Sequence, residues 1–253
     1  MNNYSIDNIN ERFNNEAVRW KNLYKRRNNF FYPYNDKLYR KQYVIEFLNL
    51  LKRKNVIDIG CGAGGYFNEI LNNSNSLTGL DSSIEMIKIC KTIGIEENKL
   101  ELINSNFLDY ETNKNFDCAI AVGFLEYQSN DNDFLKKLSN ILSKDGYLIV
   151  TLRNEDCMER KYWNFLKKFG IKIDKSSATY RSHNIQKFID SLESYNLSLE
   201  KIKFCHFYPF FWPISIFTKK IDIIFGHLME RFFSNRYSVK LASTAVLYIK
   251  KNS

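Results

Sequence analysis

A glycine-rich string between residues 56 and 65 is the segment of this chain that points most directly to chemistry. Glycines at positions 60, 62 and 65 form the pattern G-x-G-x-x-G, and Asp81 lies about twenty residues further on, as in dinucleotide-binding proteins. Asp58, two residues before the first glycine, argues against a dinucleotide, because a carboxylate at this place would repel a pyrophosphate. An acid here instead suits a ligand with a cationic head.

S-adenosylmethionine is a ligand of that kind, because its α-ammonium and sulfonium groups are cationic and it carries no phosphate. The string at residues 56–65 resembles the first motif of class I S-adenosylmethionine-dependent methyltransferases of the small-molecule type, which include the ubiquinone-pathway O-methyltransferases. The resemblance extends in order through residues 55–152. The further segments that carry it are residues 77–83, 103–107, 116–127 and 141–150.

The resemblance implies a set of cofactor-binding residues. It implies that Asp81 takes both ribose hydroxyls, since one carboxylate can accept two O–H donors. Asn106 stands where the family usually has Asp, and its side-chain carbonyl can accept a hydrogen bond from the adenine amino group. The set is Asp58, Gly60, Cys61, Gly62, Asp81, Ser82, Met86, Asn106, Phe107 and Val122, with Trp20 and Tyr24 from an N-terminal helix.

Some members of this set also have structural interpretations. Asp81 could cap the helix that follows it, and Met86 could pack in the core of that helix instead of against adenine. Cys61 has no visible base partner, so a small side chain in a tight turn fits better than a nucleophile. Glycines at 60, 62 and 64 fit positions where the backbone approaches the cofactor or adopts a positive φ.

Methyl transfer from a sulfonium needs proximity, alignment and, for a hydroxyl acceptor, a base. Among the three histidines, His206 is the first candidate, because it ends a strand expected to run parallel to the others, beside the ligand crevice. His183 is the second candidate, although both residues could serve only in packing, as we expect of His227. Tyr127 follows Glu126 where many relatives of the ubiquinone-pathway enzymes have histidine, so we expect no metal site.

Short apolar runs that alternate with amphipathic stretches predict β-α units in a mostly parallel sheet. We expect an α/β, Rossmann-like class I methyltransferase fold, with seven strands, the last antiparallel, and helices on both faces. The predicted strands are residues 55–60, 76–81, 99–103, 116–122, 147–152, 199–207 and 244–250. The predicted helices include 156–169, 184–194 and one around Phe134 and Leu138, which ends at a turn where Gly146 takes the left-handed conformation.

The chain is expected to form one methyltransferase domain over residues 1–253. It would comprise an N-terminal helical cover over 1–54, a cofactor-binding core over 55–152 and a C-terminal half over 153–253. The last part contains an apolar and basic insertion at 208–238, which is too long for a hairpin turn.

Residues 208–231 of that insertion contain six aromatic side chains beside Lys219 and Lys220. This segment could line a lid over the methyl acceptor, lie in a membrane interface, or form an extra helical layer that buries its own aromatics. The lid interpretation predicts that the segment controls acceptor choice and not cofactor binding.

The net charge of +9 is unevenly spread, at +7 over residues 1–54, −7 over 55–150 and +9 over 151–253. The acidic middle third excludes a phosphate-binding groove there and argues against a nucleic-acid partner. The five cysteines have no paired spacing, which indicates buried thiols and neither a disulfide framework nor a metal site. The first residues lack the apolar segment of a signal peptide, so we expect a soluble, cytoplasmic protein.

These observations favour methyl transfer from S-adenosylmethionine to an oxygen or nitrogen of a small, partly apolar metabolite. Methylation of RNA or protein is an alternative that the basic ends of the chain support. A non-catalytic S-adenosylmethionine-binding subunit that activates a partner is another. The sequence leaves the identity of the acceptor and the oligomeric state open.

Overall fold

The computed structural model describes residues 6–25, 34–51, 54–170, 181–207, 219–234 and 240–252. Within these ranges seven strands form one sheet in the order β3-β2-β1-β4-β5-β7-β6. The strands are β1 Lys54–Ile59, β2 Ser74–Asp81, β3 Leu100–Asn104, β4 Phe116–Ala121, β5 Leu142–Arg153, β6 Leu197–Phe207 and β7 Ala242–Lys251. All seven predicted strands are present, and the α/β fold class is confirmed.

The direction of the strands decides where ligands can bind. β1 to β5 pair in parallel, whereas β7 runs antiparallel to both β5 and β6. β6 therefore runs parallel to β5, as predicted. The carboxyl ends of these parallel strands lie along one edge of the sheet, which is where open α/β sheets bind ligands.

Helices cover both faces of the sheet. They are α1 Ile6–Lys25, α2 Tyr34–Leu48, α3 Phe67–Leu71, α4 Ile84–Lys91, α5 Asp131–Ile141, α6 Met158–Lys168, α7 Ile185–Ser191 and α8 Lys219–Phe233, with 3-10 turns at Leu125–Tyr127 and Leu192–Tyr195. Phe134 of α5 and Phe188 of α7 are buried in the cluster on one face. Phe47 of α2 and Phe67 of α3 are buried in the cluster on the other.

The turn at the start of β5 differs from the predicted one. Asp145 has the left-handed φ, at 58°, and Gly146 does not. An Asp tolerates this conformation because its short polar side chain can bond locally. Gly146 is required for another reason, since a Cβ there would lie 2.8 Å from the carbonyl oxygen of Ser143. The prediction of a left-handed Gly146 is therefore wrong.

The described part of the insertion is α8; residues 208–218 and 235–238 lie outside the described ranges. α8 packs on the edge strand β6, and its side chains contact Tyr39 and Tyr43 of α2. Its buried Glu230 accepts hydrogen bonds from the Tyr43 hydroxyl, at 3.1 Å, and from the backbone N–H of His206, at 2.6 Å. This part of the insertion is a helical layer fixed to the sheet.

All five cysteines are buried free thiols, as expected. No helix in the described ranges has the length and apolar character needed to cross a membrane.

Candidate active site

A cavity of about 800 Å³ lies at the carboxyl ends of the parallel strands. Part of its lining comes from the ends of β1, β2, β5 and β6, part from the segments after β3 and β4, and part from α1. The cavity therefore lies at the edge of the sheet where the strand directions predict a ligand.

The glycine-rich turn after β1 brings the backbone to the cavity surface. Gly60, Gly62 and Gly64 all have a positive φ, as predicted. A Cβ on Gly60 would lie 2.6 Å from the ring of Phe124, so a side chain there would displace the aromatic ring. Among the described residues, no atom lies within 4 Å of a Cβ built on Gly62, which leaves this stretch of backbone open to a ligand.

Asp58 is a buried acid at the end of β1. Asp58 is 2% exposed and lines the cavity. Its Oδ2 has no hydrogen-bond partner among the described residues. Burial, followed by repulsion from Asp81, raises the pKa of Asp58 to about 7. A cation in the cavity would counter both effects and hold this side chain as a carboxylate.

Asp81 at the end of β2 is held by the backbone around it. Its Oδ2 accepts the N–H of Gly62 and its Oδ1 accepts the N–H of Ser83, both at 2.8 Å. Burial raises the pKa of Asp81, and these two bonds act against that rise. The N-cap of α4 is Ser83, whose hydroxyl accepts from the Met86 N–H at 3.3 Å. The helix-cap alternative for Asp81 is therefore wrong, and the carboxylate instead ties the β2 end to the glycine turn.

Apolar side chains line another part of the cavity. Met86 of α4 and Phe107 after β3 are 2% and 1% exposed, and both contribute to the lining with Val122. Asn106 also lines the cavity, and its Oδ1 accepts the N–H of Leu108 at 3.2 Å. This combination of flat apolar surface and an amide suits a purine ring with an amino group.

Helix α1 lies over the end of β2 and the start of α4. Ser82 and Ser83 donate hydroxyl hydrogen bonds to the side chains of Asn10 and Asn14, each at 2.6 Å. Trp20 lines the cavity with Asn10. The side chain of Tyr24 lies outside the described part of the structure. The predicted N-terminal cover thus reaches the site through Trp20, which was predicted, and through Asn10 and Asn14, which sequence analysis did not single out.

Charged side chains line the cavity beyond the glycine turn, and sequence analysis missed them: Arg40, Glu126, Arg153, Glu159, Arg160 and Arg181. Glu126 is 6% exposed and its Oε2 has no hydrogen-bond partner among the described residues. Burial raises the pKa of Glu126, and nearby Arg40 opposes that rise most among the surrounding charged side chains. This part of the cavity is more polar than the partly apolar acceptor site that the sequence predicted.

The two candidate bases lie in different environments. His206 lines the cavity, has a left-handed φ of 64°, and places its Nδ1 3.0 Å from Thr244 Oγ1. His183 is 4% exposed and is not among the described lining residues. Its Nε2 lies 3.3 Å from Asp131 Oδ1, which also pairs with Arg181. His206 therefore lies at the cavity surface, whereas His183 is buried behind the residues that line the cavity.

Cys61 has the surroundings of an inert thiol. Contact with Cys90 and burial raise the pKa of Cys61 well above its ordinary value. Cys90 donates to the carbonyl oxygen of Gly62 at 3.1 Å, which helps to fix the turn. Across the described residues, no group of three or more His, Cys, Asp or Glu side chains could hold a metal ion.

The sequence matches the family model described as "Methyltransferase domain" over residues 57–150. This range contains the second half of β1, all of β2 to β4 and most of β5, with the glycine turn, Asp58 and Asp81. Residues 57–150 form a class I S-adenosylmethionine-dependent methyltransferase domain.

Curated relatives of this methyltransferase domain include enzymes named for both O- and N-methylation. A ubiquinone biosynthesis O-methyltransferase of Pelagibacter ubique is 25% identical over 171 residues, which are 60% of this chain and 65% of that protein. A probable (S)-tetrahydroprotoberberine N-methyltransferase of Papaver bracteatum is 32% identical over 102 residues, 38% of this chain and 28% of that protein. The chain thus spans less than two thirds of the length of these relatives.

A solved structure shows the same fold over nearly the whole chain. The magnesium protoporphyrin IX methyltransferase of Synechocystis PCC 6803, in a crystal structure with bound S-adenosylhomocysteine, has a TM-score of 0.69 and 12% identity. The match covers 98% of this chain and 100% of that one. The likeness extends beyond the methyltransferase domain to the added helices.

The structure gathers nearly all the predicted site residues into one cavity. Those in the lining are Asp58, Gly60, Cys61, Gly62, Asp81, Ser82, Met86, Asn106, Phe107, Val122, Trp20 and His206. The exceptions are His183 and the undescribed side chain of Tyr24. Asn10 was missed although helical spacing places it on one face with Phe13 and Asn14, a pattern that the sequence does show.

Proposed function

We propose that this chain transfers the methyl group of S-adenosylmethionine to an oxygen or nitrogen of a small molecule. The observation that carries the proposal is Asp58, which lines the cavity and whose buried Oδ2 has no hydrogen-bond partner among the described residues. A buried carboxylate is costly unless it is paired, so the site favours a cationic ligand. The α-ammonium and sulfonium groups of the cofactor meet that need.

The cavity residues suit the separate parts of the cofactor. We assign Asp58 to the α-ammonium group and Asp81 to the ribose hydroxyls, because a carboxylate offers about four lone-pair sites and only two are used by N–H groups. Met86 and Phe107 fit the adenine faces, and Asn106 fits its amino group.

Arg40 is a candidate cofactor-binding residue that the sequence did not suggest. Its Nη1 lies 3.6 Å from the position of a Cβ built on Gly123, in the loop after β4, and Arg40 lines the cavity with Asp58. A guanidinium favours carboxylates, and the methionine part of the cofactor carries one beside its ammonium. We therefore assign Arg40 to that carboxylate.

The chemistry requires little from the protein beyond alignment and the removal of a proton. When bound, S-adenosylmethionine supplies a methyl group whose bond to sulfur breaks as the acceptor oxygen or nitrogen bonds to the carbon. We assign His206 as the group that receives the acceptor's proton, because it lines the cavity and its Nδ1 lies within hydrogen-bond reach of Thr244. We assign His183 a structural role.

A small acceptor fits this cavity better than RNA or protein. The relatives that the sequence matches are named for small-molecule O- and N-methylation. The cavity also continues past the glycine turn to His206 and the charged group around Glu126, which offers room for an acceptor beside the cofactor. That continuation favours an enzyme over a non-catalytic binding subunit.

We also propose that the protein acts in small-molecule biosynthesis in the cytoplasm. Five buried free thiols fit a reducing compartment.

Thermal unfolding with cofactor analogues tests the proposal. A ligand at 100 times its Kd stabilises the native state by about 2.7 kcal/mol, so S-adenosylhomocysteine should raise Tm by several degrees, whereas NAD should not. Stabilisation by NAD alone would overturn the assignment of Asp58. Transfer of labelled methyl to a panel of catechols and amines then tests catalysis, and binding without any transfer would favour the subunit alternative.

A further inference from the structure

Helix α6 carries an apolar stripe that the protein core does not cover. Three apolar side chains form this stripe. Met158, the first residue of the helix, is 52% exposed and Phe165 within it is 56% exposed. Phe169, directly after the last helical residue, is 69% exposed. Their spacing of seven and four residues places them on one side of a helix. The rings of Phe165 and Phe169 contact each other with centroids 4.9 Å apart. No residue of α6 is buried.

The rest of α6 is strongly basic. It contains Arg160, Lys161, Lys167 and Lys168 against a single carboxylate, Glu159. A helix with aromatic and aliphatic side chains on one face and Lys and Arg on the other has the composition of helices that lie in a bilayer interface.

Helix α8 presents a second exposed stripe. Its exposed apolar side chains are Ile221, Ile224, Phe225, Leu228 and Phe232, spaced as neighbours along one side of a helix. The helix is fixed to the protein by another face, through Glu230 and its bonds to Tyr43 and the His206 backbone. The stripe is therefore not needed to hold α8 in place.

Both helices border the end of the sheet where the cavity lies. Glu159 and Arg160, in the first turn of α6, line the cavity itself. α8 is bonded to His206, another lining residue at the end of β6. A surface that engaged the two stripes would lie beside the cavity.

We propose that the exposed faces of α6 and α8 dock on an anionic lipid bilayer. Charge complementarity selects this partner, because α6 is basic and residues 151–253 as a whole carry +9. The contact is peripheral, with apolar side chains entering the interface and Lys and Arg facing the headgroups. Sequence analysis raised a membrane contact for residues 208–231 and did not single out α6. The proposal goes beyond the proposed function and does not depend on methyl transfer.

Sedimentation with vesicles tests the docking. The wild-type chain should bind phosphatidylcholine vesicles that contain phosphatidylglycerol and should bind pure phosphatidylcholine weakly. Replacing both exposed rings, Phe165→Ser with Phe169→Ser, should lower the partition coefficient about a hundredfold, because two large apolar side chains no longer enter the interface. Lys167→Ala with Lys168→Ala should reduce the preference for anionic lipid. S-adenosylhomocysteine affinity and Tm report that each variant is folded.

The matched control is Leu50→Ser, which removes a side chain that is 49% exposed. Leu50 lies shortly before β1, at the end of the sheet opposite to the carboxyl ends of the parallel strands. This variant should bind vesicles like the wild type. Ile224→Ser with Leu228→Ser tests the second stripe and should also weaken binding. Wild-type protein that ignores anionic vesicles, or double variants that bind as well as wild type, would overturn the proposal. So would a result in which the Phe variants convert a dimer to a monomer without affecting lipid binding.

Discussion

Replacing Asp58 with Asn should move protein stability and cofactor affinity in opposite directions. In the free protein, burial raises the pKa of Asp58 from 3.8 to about 7. A raised pKa means that the native state favours the protonated acid, so this stability is fully present below about pH 4 and is lost as pH rises through about 7. Three pKa units correspond to about 4 kcal/mol, which is the most that a neutral amide of the same shape could restore at pH 8. The Tm of free Asp58→Asn should therefore rise by several degrees at that pH.

The same substitution should weaken the binding of the cofactor analogue S-adenosylhomocysteine. The carboxylate bond to an ammonium group contributes about 1.5–3 kcal/mol, so the Kd for S-adenosylhomocysteine should rise by about 10-fold to 150-fold. In the wild type, affinity should also increase between pH 6 and pH 8 as Asp58 ionises, whereas the variant should show a flat profile over this range. Isothermal titration calorimetry at each pH measures both effects.

The control for this experiment is Asp117→Asn. Asp117 is an acid of β4 that accepts the Asn55 N–H at 2.9 Å at an exposed site and does not line the cavity. Its substitution should leave S-adenosylhomocysteine affinity unchanged. If Asp58→Asn binds as tightly as the wild type with the same pH profile, the ammonium assignment is refuted. A fall in both Tm and affinity would instead indicate a structural role for Asp58.

The other predictions concern the rest of the cavity. Asp81→Ala should lose the ribose hydrogen bonds, at about 1.5–3 kcal/mol each by calorimetry, and unchanged affinity would refute its role. S-adenosylhomocysteine should slow protease cleavage within residues 8–40, and Asn10→Ala with Asn14→Ala should reduce that protection; equal digestion rates with and without ligand would show that α1 does not respond to the cofactor. His206→Asn should lower methyl-transfer turnover while leaving S-adenosylhomocysteine affinity intact, and unchanged turnover would remove His206 as the base.

The sequence predicted which residues around the glycine turn lie together, because the signals for them are local. Asp58 and the glycines share one strand and turn, and Asp81 ends the next strand, so strand direction alone brings them together. The resemblance to a family also fixed the order of these motifs. The partner of each Asp81 oxygen was not predictable, because it depends on the detailed path of the glycine turn.

The charged part of the cavity depends on contacts between distant parts of the chain. Arg40 reaches the loop after β4 from α2, and Arg153 is the last residue of β5, so no spacing in the sequence relates them. His183 was predicted as a candidate base because it was expected to lie beside the crevice. It instead pairs with Asp131 and is buried behind the cavity lining. The lid interpretation of residues 208–231 stays a prediction for residues 208–218, which lie outside the described ranges. Among the described side chains of α8, none lines the cavity.

A crystal structure with S-adenosylhomocysteine tests the central claim most directly. The account predicts that the ligand occupies the cavity, with its ammonium group within hydrogen-bond distance of Asp58 and its ribose hydroxyls on Asp81. The sulfur should then face the part of the cavity that contains His206. A ligand bound elsewhere, or one whose ammonium group lies away from Asp58, would contradict the account.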